Sequence, residues 1–296
     1  MSGASHLDAK QTAVNDFRRR FHFNFDWIMR PLFGFALAGL AVWATVRGGL
    51  LFVIFLSAGC AAAIREWHRL FAKRDYVLPT AITVAAMAAA LLWQLYAALP
   101  DPAWRFVPVS ILFAAAVADL VVGIVRRELP IAHAIAPLYV ALPALALLMI
   151  RQSQQHAVWL VVLTFLAVWA TDTGALFSGK LIGGPKLAPH LSPNKTWAGS
   201  IGGLACAAIV CGALALVLRI NVLSAAMFAI VLSVAGQLGD LFESLVKRQV
   251  GCKDSGGLIP GHGGVLDRID SILFAAPVAA LMLLVFHFDP LVGLQP

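Results

Sequence analysis

A chain of 296 residues that is 60% hydrophobic and only 12% charged, with a mean hydropathy of +0.85, lies far from the soluble average of about half apolar and about a quarter charged. That composition excludes an ordinary soluble domain and places the chain in a bilayer. The net charge of +7 is scattered among the loops between apolar segments, which suits anionic lipid head groups and topology control and argues against nucleic acid as a partner.

Residues 1–26 are polar and basic, with Arg18, Arg19 and Arg20, and no short apolar stretch with a small-residue cleavage site follows them. They are expected to stay on the chain as a cytoplasmic segment. A hydrocarbon core of about 30 Å needs about 20 apolar residues per helix. Nine stretches approach this length: residues 31–46, 49–65, 77–99, 104–125, 131–150, 157–178, 197–218, 222–246 and 269–287. The first two are short and separated only by Gly48 and Gly49, so they read either as a hairpin or as one bent element.

The predicted fold is an all-α polytopic membrane protein. Its N-terminal part, residues 27–150, holds about five spans. A catalytic part, residues 151–296, holds about four, with polar loops at 180–196 and 248–268. Nine spans with the N-terminus inside put all but Arg47, Arg105, Arg151 and Arg219 of the 22 Lys and Arg residues on the cytoplasmic side. The C-terminus then lies on the opposite side, and both polar loops share the cytoplasmic face.

Cys60, Cys206, Cys211 and Cys252 have no metal-type spacing. The first three sit in apolar segments and read as small buried hydrophobes.

Ionisable groups inside spans are costly in lipid, so each is a functional hypothesis by default. Asp172 stands near the cytoplasmic end of the sixth span. Asp240, Glu243, Ser244 and Lys247 recur at spacings of three, four and seven near the end of the eighth, on one helical face. A structural ion-pair network is the plain alternative for that face.

The sequence then continues Lys247-Arg248, Lys253-Asp254-Ser255-Gly256-Gly257, Pro260-Gly261-His262-Gly263-Gly264 and Asp267-Arg268-Ile269-Asp270. Glycines admit backbone amides close to an anion, Lys and Arg neutralise phosphate, and carboxylate oxygens hold Mg²⁺. Asp267 and Asp270 also suit capping of the following helix. The other loop carries Gly183-Gly184-Pro185-Lys186 and Ser192-Pro193-Asn194-Lys195-Thr196, a composition fit for phosphate contacts or for a basic loop at the lipid surface. Neither a P-loop nor a dinucleotide fingerprint is present. Asp119 reads as internally paired or as facing a polar cavity, Glu66 with Arg65 and Arg69 as a surface network, and His133, His156 and His190 as residues in or beside loops.

The run from Ser244 to Asp270 resembles the signature of the phosphatidate cytidylyltransferase, or CDP-diacylglycerol synthase, family. Residues 172–197 resemble that family's second characteristic stretch, and Arg65-Glu66-Trp67 a weaker N-terminal one. Ala198 departs from it where glutamate is expected.

The resemblance implies that phosphatidic acid attacks the α-phosphorus of CTP, giving CDP-diacylglycerol and pyrophosphate for phospholipid synthesis. It implies Asp240, Asp267, Lys247, Arg248 and Asp172 as catalytic. Asp240 and Asp267 would bind Mg²⁺ and one further cation, with Asp172, Glu243 and Asp270 as secondary ligands. Ser192, Lys195, Thr196, Ser244, Lys253, Asp254, His262, Gly263, Gly264 and Arg268 would contact substrate, with His262 as a phosphate donor or loop-shaping group. A homodimer is expected on the same ground, while the lack of a transit or cleavable signal favours a bacterial inner membrane and the distribution of basic residues turns the site to the cytoplasm.

An ion-coupled transporter using Asp172 and Asp240 is the alternative, but paired broken helices in matching halves are lacking. The aspartate pattern of CDP-alcohol phosphotransferases is also missing.

Overall fold

The computed structural model describes residues 34–73, 75–97, 106–154, 156–258 and 263–291. The expectations for residues 1–26, Arg74, Arg105 and His262 lie outside the described residues. Among the described residues ten α-helices follow one another: α1 Gly34–Arg47, α2 Gly49–Phe71, α3 Val77–Tyr96, α4 Val107–Arg126, α5 Pro130–Ala136, α6 Leu142–Gln152, α7 Ala157–Leu181, α8 Trp197–Leu218, α9 Val222–Val250 and α10 Leu266–Ala280.

With α5 and α6 taken as one element, eight of these helices among the described residues are long and apolar enough to cross a bilayer, and α1 is a shorter apolar helix. The chain is therefore a multi-pass membrane protein. α1 and α2 are divided at Gly48 and Gly49, at φ +63° and +55°, values that glycine tolerates and other residues resist. α2 runs past the expected end of its span at residue 65 through Glu66 and Trp67 to Phe71.

α5 and α6 form the central element, joined by a widened π turn over Pro137–Ala141. Pro137 has no N–H to return to the preceding turn, and the Leu142 N–H bonds instead to the Pro137 carbonyl five residues back. A second π turn, Leu281–Val285, continues α10 a few residues beyond Pro277.

In the N-terminal half, α2, α3, α4 and α5 are held together by a buried polar chain. Thr83 Oγ1 donates to Asp119 at 2.6 Å, His68 Nε2 lies 3.2 Å from Thr83, and the His68 and His133 Nδ1 atoms lie 2.9 Å apart. His133 Nε2 is 3.0 Å from Glu128. Asp119 thus pairs internally as expected, but His133 does not belong to a loop: it is fully buried because its ring completes this chain. His156 precedes α7 and His190 is exposed in a turn.

The C-terminal half is a bundle of α7, α8, α9 and α10. α7 and α8 approach closely because small residues face each other: a Cβ on Gly174 would fall 2.4 Å from Cys206 Cβ, and one on Gly202 would fall 2.0 Å from Ser178 Oγ.

The connection between these two helices is more than the loop expected from its polarity. Gly183 and Gly184, at φ +67° and +94°, turn the chain out of α7 into an antiparallel hairpin, β1 Lys186–Ala188 and β2 Ser192–Thr196. Thr196 ends the hairpin and starts α8, its hydroxyl accepting from the Gly199 N–H at 3.0 Å. Ala198, half-buried in that first turn, fills the place of the expected glutamate.

Candidate active site

The two sequence stretches singled out by their polar residues meet at one cavity of about 1000 Å³. α7 contributes Asp172 and Lys180, the hairpin Ser192, Lys195 and Thr196, α9 Asp240, Glu243, Ser244, Lys247 and Arg248, the following loop Lys253 and Asp254, and α10 Asp267, Arg268 and Asp270. Every described residue expected to act in catalysis, substrate binding or metal binding lines this volume except Gly263 and Gly264, which sit behind it against Asp267 and Glu66.

Helical spacing explains the α9 wall. Lys247 lies one turn beyond Glu243, and its Nζ donates to Glu243 Oε2 at 2.8 Å and to Asp267 Oδ1 at 2.8 Å, tying α9 to α10. Asp267 also accepts the Gly264 N–H at 2.8 Å and the Ser255 N–H at 3.1 Å on Oδ2, so it orders the loop as well as facing the cavity. The Ser255 hydroxyl turns away from it, toward Glu66 at 3.4 Å.

Asp240 is paired with Lys195 of the hairpin, and Arg248 Nε donates to the Leu191 carbonyl at 3.3 Å. These two contacts close the hairpin over α9. Asp270 accepts the Ser271 N–H at 2.7 Å.

The donor set includes hard carboxylate oxygens from Asp172, Asp240, Glu243, Asp254, Asp267 and Asp270 around one volume, the ligand type that Mg²⁺ takes. One oxygen of Glu243, a residue 1% exposed, has no partner. This collection fits a divalent cation. Among the described residues, no three acidic, imidazole or thiol groups already stand in a closed coordination arrangement; Asp240, Glu243 and Asp267 are engaged by lysines.

Sequence reasoning missed some members. Gln237, three residues before Asp240, lines the cavity; its amide donates to Ser233 Oγ and the Ser200 carbonyl, each at 3.3 Å, and Thr171 donates to Ser233 at 2.7 Å. The signal was available, because Gln237 is a polar residue on the carboxylate face of an apolar helix.

Glu66 was misread. Instead of joining a surface network with Arg65 and Arg69, it is 2% exposed and bonded to the Leu266 N–H at 2.8 Å, while Arg65 donates to the Tyr76 hydroxyl at 3.2 Å. Sequence separation hid this contact: the two residues are 200 positions apart.

Comparison with known proteins agrees with this architecture. A phosphatidate cytidylyltransferase of Brucella suis is 36% identical over 270 residues, covering 87% of this chain and 93% of the relative. The enzymes of the same name from Staphylococcus haemolyticus and Staphylococcus aureus are 48% and 43% identical over 126 and 147 residues, covering 42% and 49% of this chain and 48% and 56% of theirs. Such similarity indicates a nucleotidyltransferase and leaves the transporter alternative without support. The cytidylyltransferase family model matches residues 28–286, which include every helix lining the cavity, and the chain belongs to that family.

Proposed function

We propose that this chain is a phosphatidate cytidylyltransferase that converts CTP and phosphatidic acid to CDP-diacylglycerol and pyrophosphate. The observation that carries the reading is the cavity at the end of α7, α9 and α10, where six carboxylates and six basic side chains from two separate stretches converge. Its volume is within the range of a small-molecule site. Its apolar wall, with Ala175, Leu176, Leu187 and Leu191, suits a lipid that must bring its head group to a nucleotide.

In the reaction, an oxygen of the phosphatidate phosphate forms a bond to the α-phosphorus of CTP, and the bond to the bridging oxygen of the β-phosphate breaks, releasing pyrophosphate. A phosphate monoester, with a second pKa of about 6, is already largely ionised near neutral pH. No strong general base is needed.

The work left to the protein is positioning and charge neutralisation. Lys195, Lys247, Arg248, Lys253 and Arg268 supply positive charge around the triphosphate and the lipid phosphate. Ser192, Ser244 and Thr196 frame the substrates. Lys195 and Lys247 pair with Asp240 and Asp267, which fixes these charges around the cavity.

Asp240 and Asp267 would hold Mg²⁺, with Asp172, Glu243 and Asp270 adding negative charge and serving a second cation. When bound, the metal neutralises phosphate oxygens and favours departure of pyrophosphate.

A bacterial inner membrane, with the cavity on the cytoplasmic side where CTP is made, fits the distribution of basic residues and the bacterial relatives. The homodimer implied by family resemblance is checked by light scattering of the detergent-solubilised chain. The activity is tested by incubating purified protein with Mg²⁺, CTP and phosphatidic acid and following the products by mass spectrometry. CDP-diacylglycerol and pyrophosphate in equal amounts are expected; neither appearing with folded protein would overturn the reading.

A further inference from the structure

The N-terminal half reaches the site through one side chain. Glu66 lies near the end of α2, is 2% exposed, and does not line the cavity. Its Oε2 accepts the Leu266 N–H at 2.8 Å and the Ser255 hydroxyl at 3.4 Å.

Leu266 is the first residue of α10, and Val265 before it provides no side-chain cap. The first N–H groups of a helix have no partner inside it, and carboxylates favour that end of the dipole. Glu66 therefore caps α10 from another helix.

Two glycines make room for it. A Cβ on Gly256 would stand 2.4 Å from Glu66 Oε1, and one on Gly264 would stand 2.5 Å from Oε2. On the opposite side of the same backbone, Asp267 accepts the Ser255 and Gly264 N–H groups. The two ends of the loop, at Ser255–Gly256 and at Gly264–Leu266, are thus gripped between a carboxylate of the N-terminal half and one of the active site.

We propose that Glu66 is a positioning residue for cytidylyl transfer: by capping α10 and fixing both ends of the loop it sets where Asp267 and Lys247 stand. It touches no substrate. The kinetic part of this inference rests on the proposed reaction; the structural part does not.

The experiment uses the full chain in detergent and compares Glu66→Ala with Glu66→Gln, whose amide oxygen can accept the same Leu266 N–H. Hydrogen exchange at the Leu266 amide should accelerate about 10-fold or more in Glu66→Ala, as expected for loss of a cap, and stay within about threefold of wild type in Glu66→Gln. In parallel, kcat should fall about 10- to 100-fold in Glu66→Ala, the scale of a misplacement of roughly 1 Å, with the KM for CTP little changed and Glu66→Gln restoring most of the rate.

Unchanged exchange and kcat in Glu66→Ala would overturn the proposal, as would Glu66→Gln being as impaired as Glu66→Ala. Should Glu66→Ala not fold, Gly256→Ala, which crowds the carboxylate, must impair kcat, and Glu66→Asp combined with it must recover part of the loss; no recovery sinks the clamp. If the wild type makes no CDP-diacylglycerol, the reaction reading fails, while the exchange comparison still decides on the clamp.

Discussion

The ammonium of Lys247 stands 2.8 Å from Asp267, across two helices, while holding Glu243 at the same distance on its own helix. Glu243 and Asp267 are 1% and 10% exposed at their side chains, so this lysine is what allows two carboxylates to share a poorly hydrated corner of the cavity. Lys247→Met should leave them facing each other without a counter-charge. Breaking a buried charge pair by removing one partner costs about 3–5 kcal/mol, and the expected loss here is toward the lower end because Lys247 is 15% exposed. Thermal unfolding in detergent checks the stability, and turnover of the surviving folded protein should fall at least about 100-fold.

Asp240 gives the contrasting case. Its pair with Lys195 is about one-third exposed on the Asp240 side, where ion pairs contribute only about 0–1 kcal/mol. Asp240→Asn should therefore melt within a few degrees of wild type and yet lose about 10²-fold or more in kcat. The same loss is expected when wild type is treated with a chelator, with recovery on adding Mg²⁺. Full activity of Asp240→Asn would remove this residue from the chemistry.

How far the sequence led can be judged from these residues. Apolar runs of spanning length and helical spacing are local signals, and they located the helices and put Asp240, Glu243 and Lys247 on one face. The meeting of residues 172–197 with residues 240–270 followed from topology, since alternating spans place both connections on one side.

Contacts that depend on tertiary packing were not legible. The reach of Glu66 to Leu266 and the pairing of His68 with His133 join helices far apart in sequence, and each such residue alone looks like a surface or loop group. The hairpin at Lys186–Thr196 escaped because its strands are three and five residues long, too short for an alternating pattern.

The buried chain from Asp119 to Glu128 offers a separate test, away from the cavity. Thr83→Val preserves shape but deletes the hydroxyl that donates to Asp119 at 2.6 Å and lies 3.2 Å from His68. Leaving buried polar groups unsatisfied costs about 1–3 kcal/mol each. The melting temperature should drop by several degrees while turnover per folded molecule stays near wild type; an unshifted melt would mean that the chain contributes little to holding α2, α3, α4 and α5 together.

Cys252 reports on the loop. Burial pushes its thiol above the ordinary cysteine value, with the Asp267 and Glu243 charges adding to the effect and Lys247 opposing it. A raised pKa lowers the thiolate fraction at any given pH, and the thiolate is the reactive form. Alkylation should accordingly be slow at neutral pH and accelerate only above the ordinary cysteine range, and CTP in the cavity should slow it. An impermeant maleimide should label Cys252 in inside-out vesicles and spare it in intact cells; labelling in intact cells would reverse the proposed orientation.

The central claim is that the cavity joins the CMP moiety of CTP to a lipid phosphate, and the most direct measurement follows the two ends of the nucleotide separately. Purified protein is given phosphatidic acid, Mg²⁺ and CTP carrying ³²P at either the α- or the γ-position, and the organic and aqueous phases are counted. Attack at the α-phosphorus predicts that α-label enters the organic phase as CDP-diacylglycerol while γ-label stays in water as pyrophosphate. Label reaching lipid from the γ-position, or from neither position, would contradict the account.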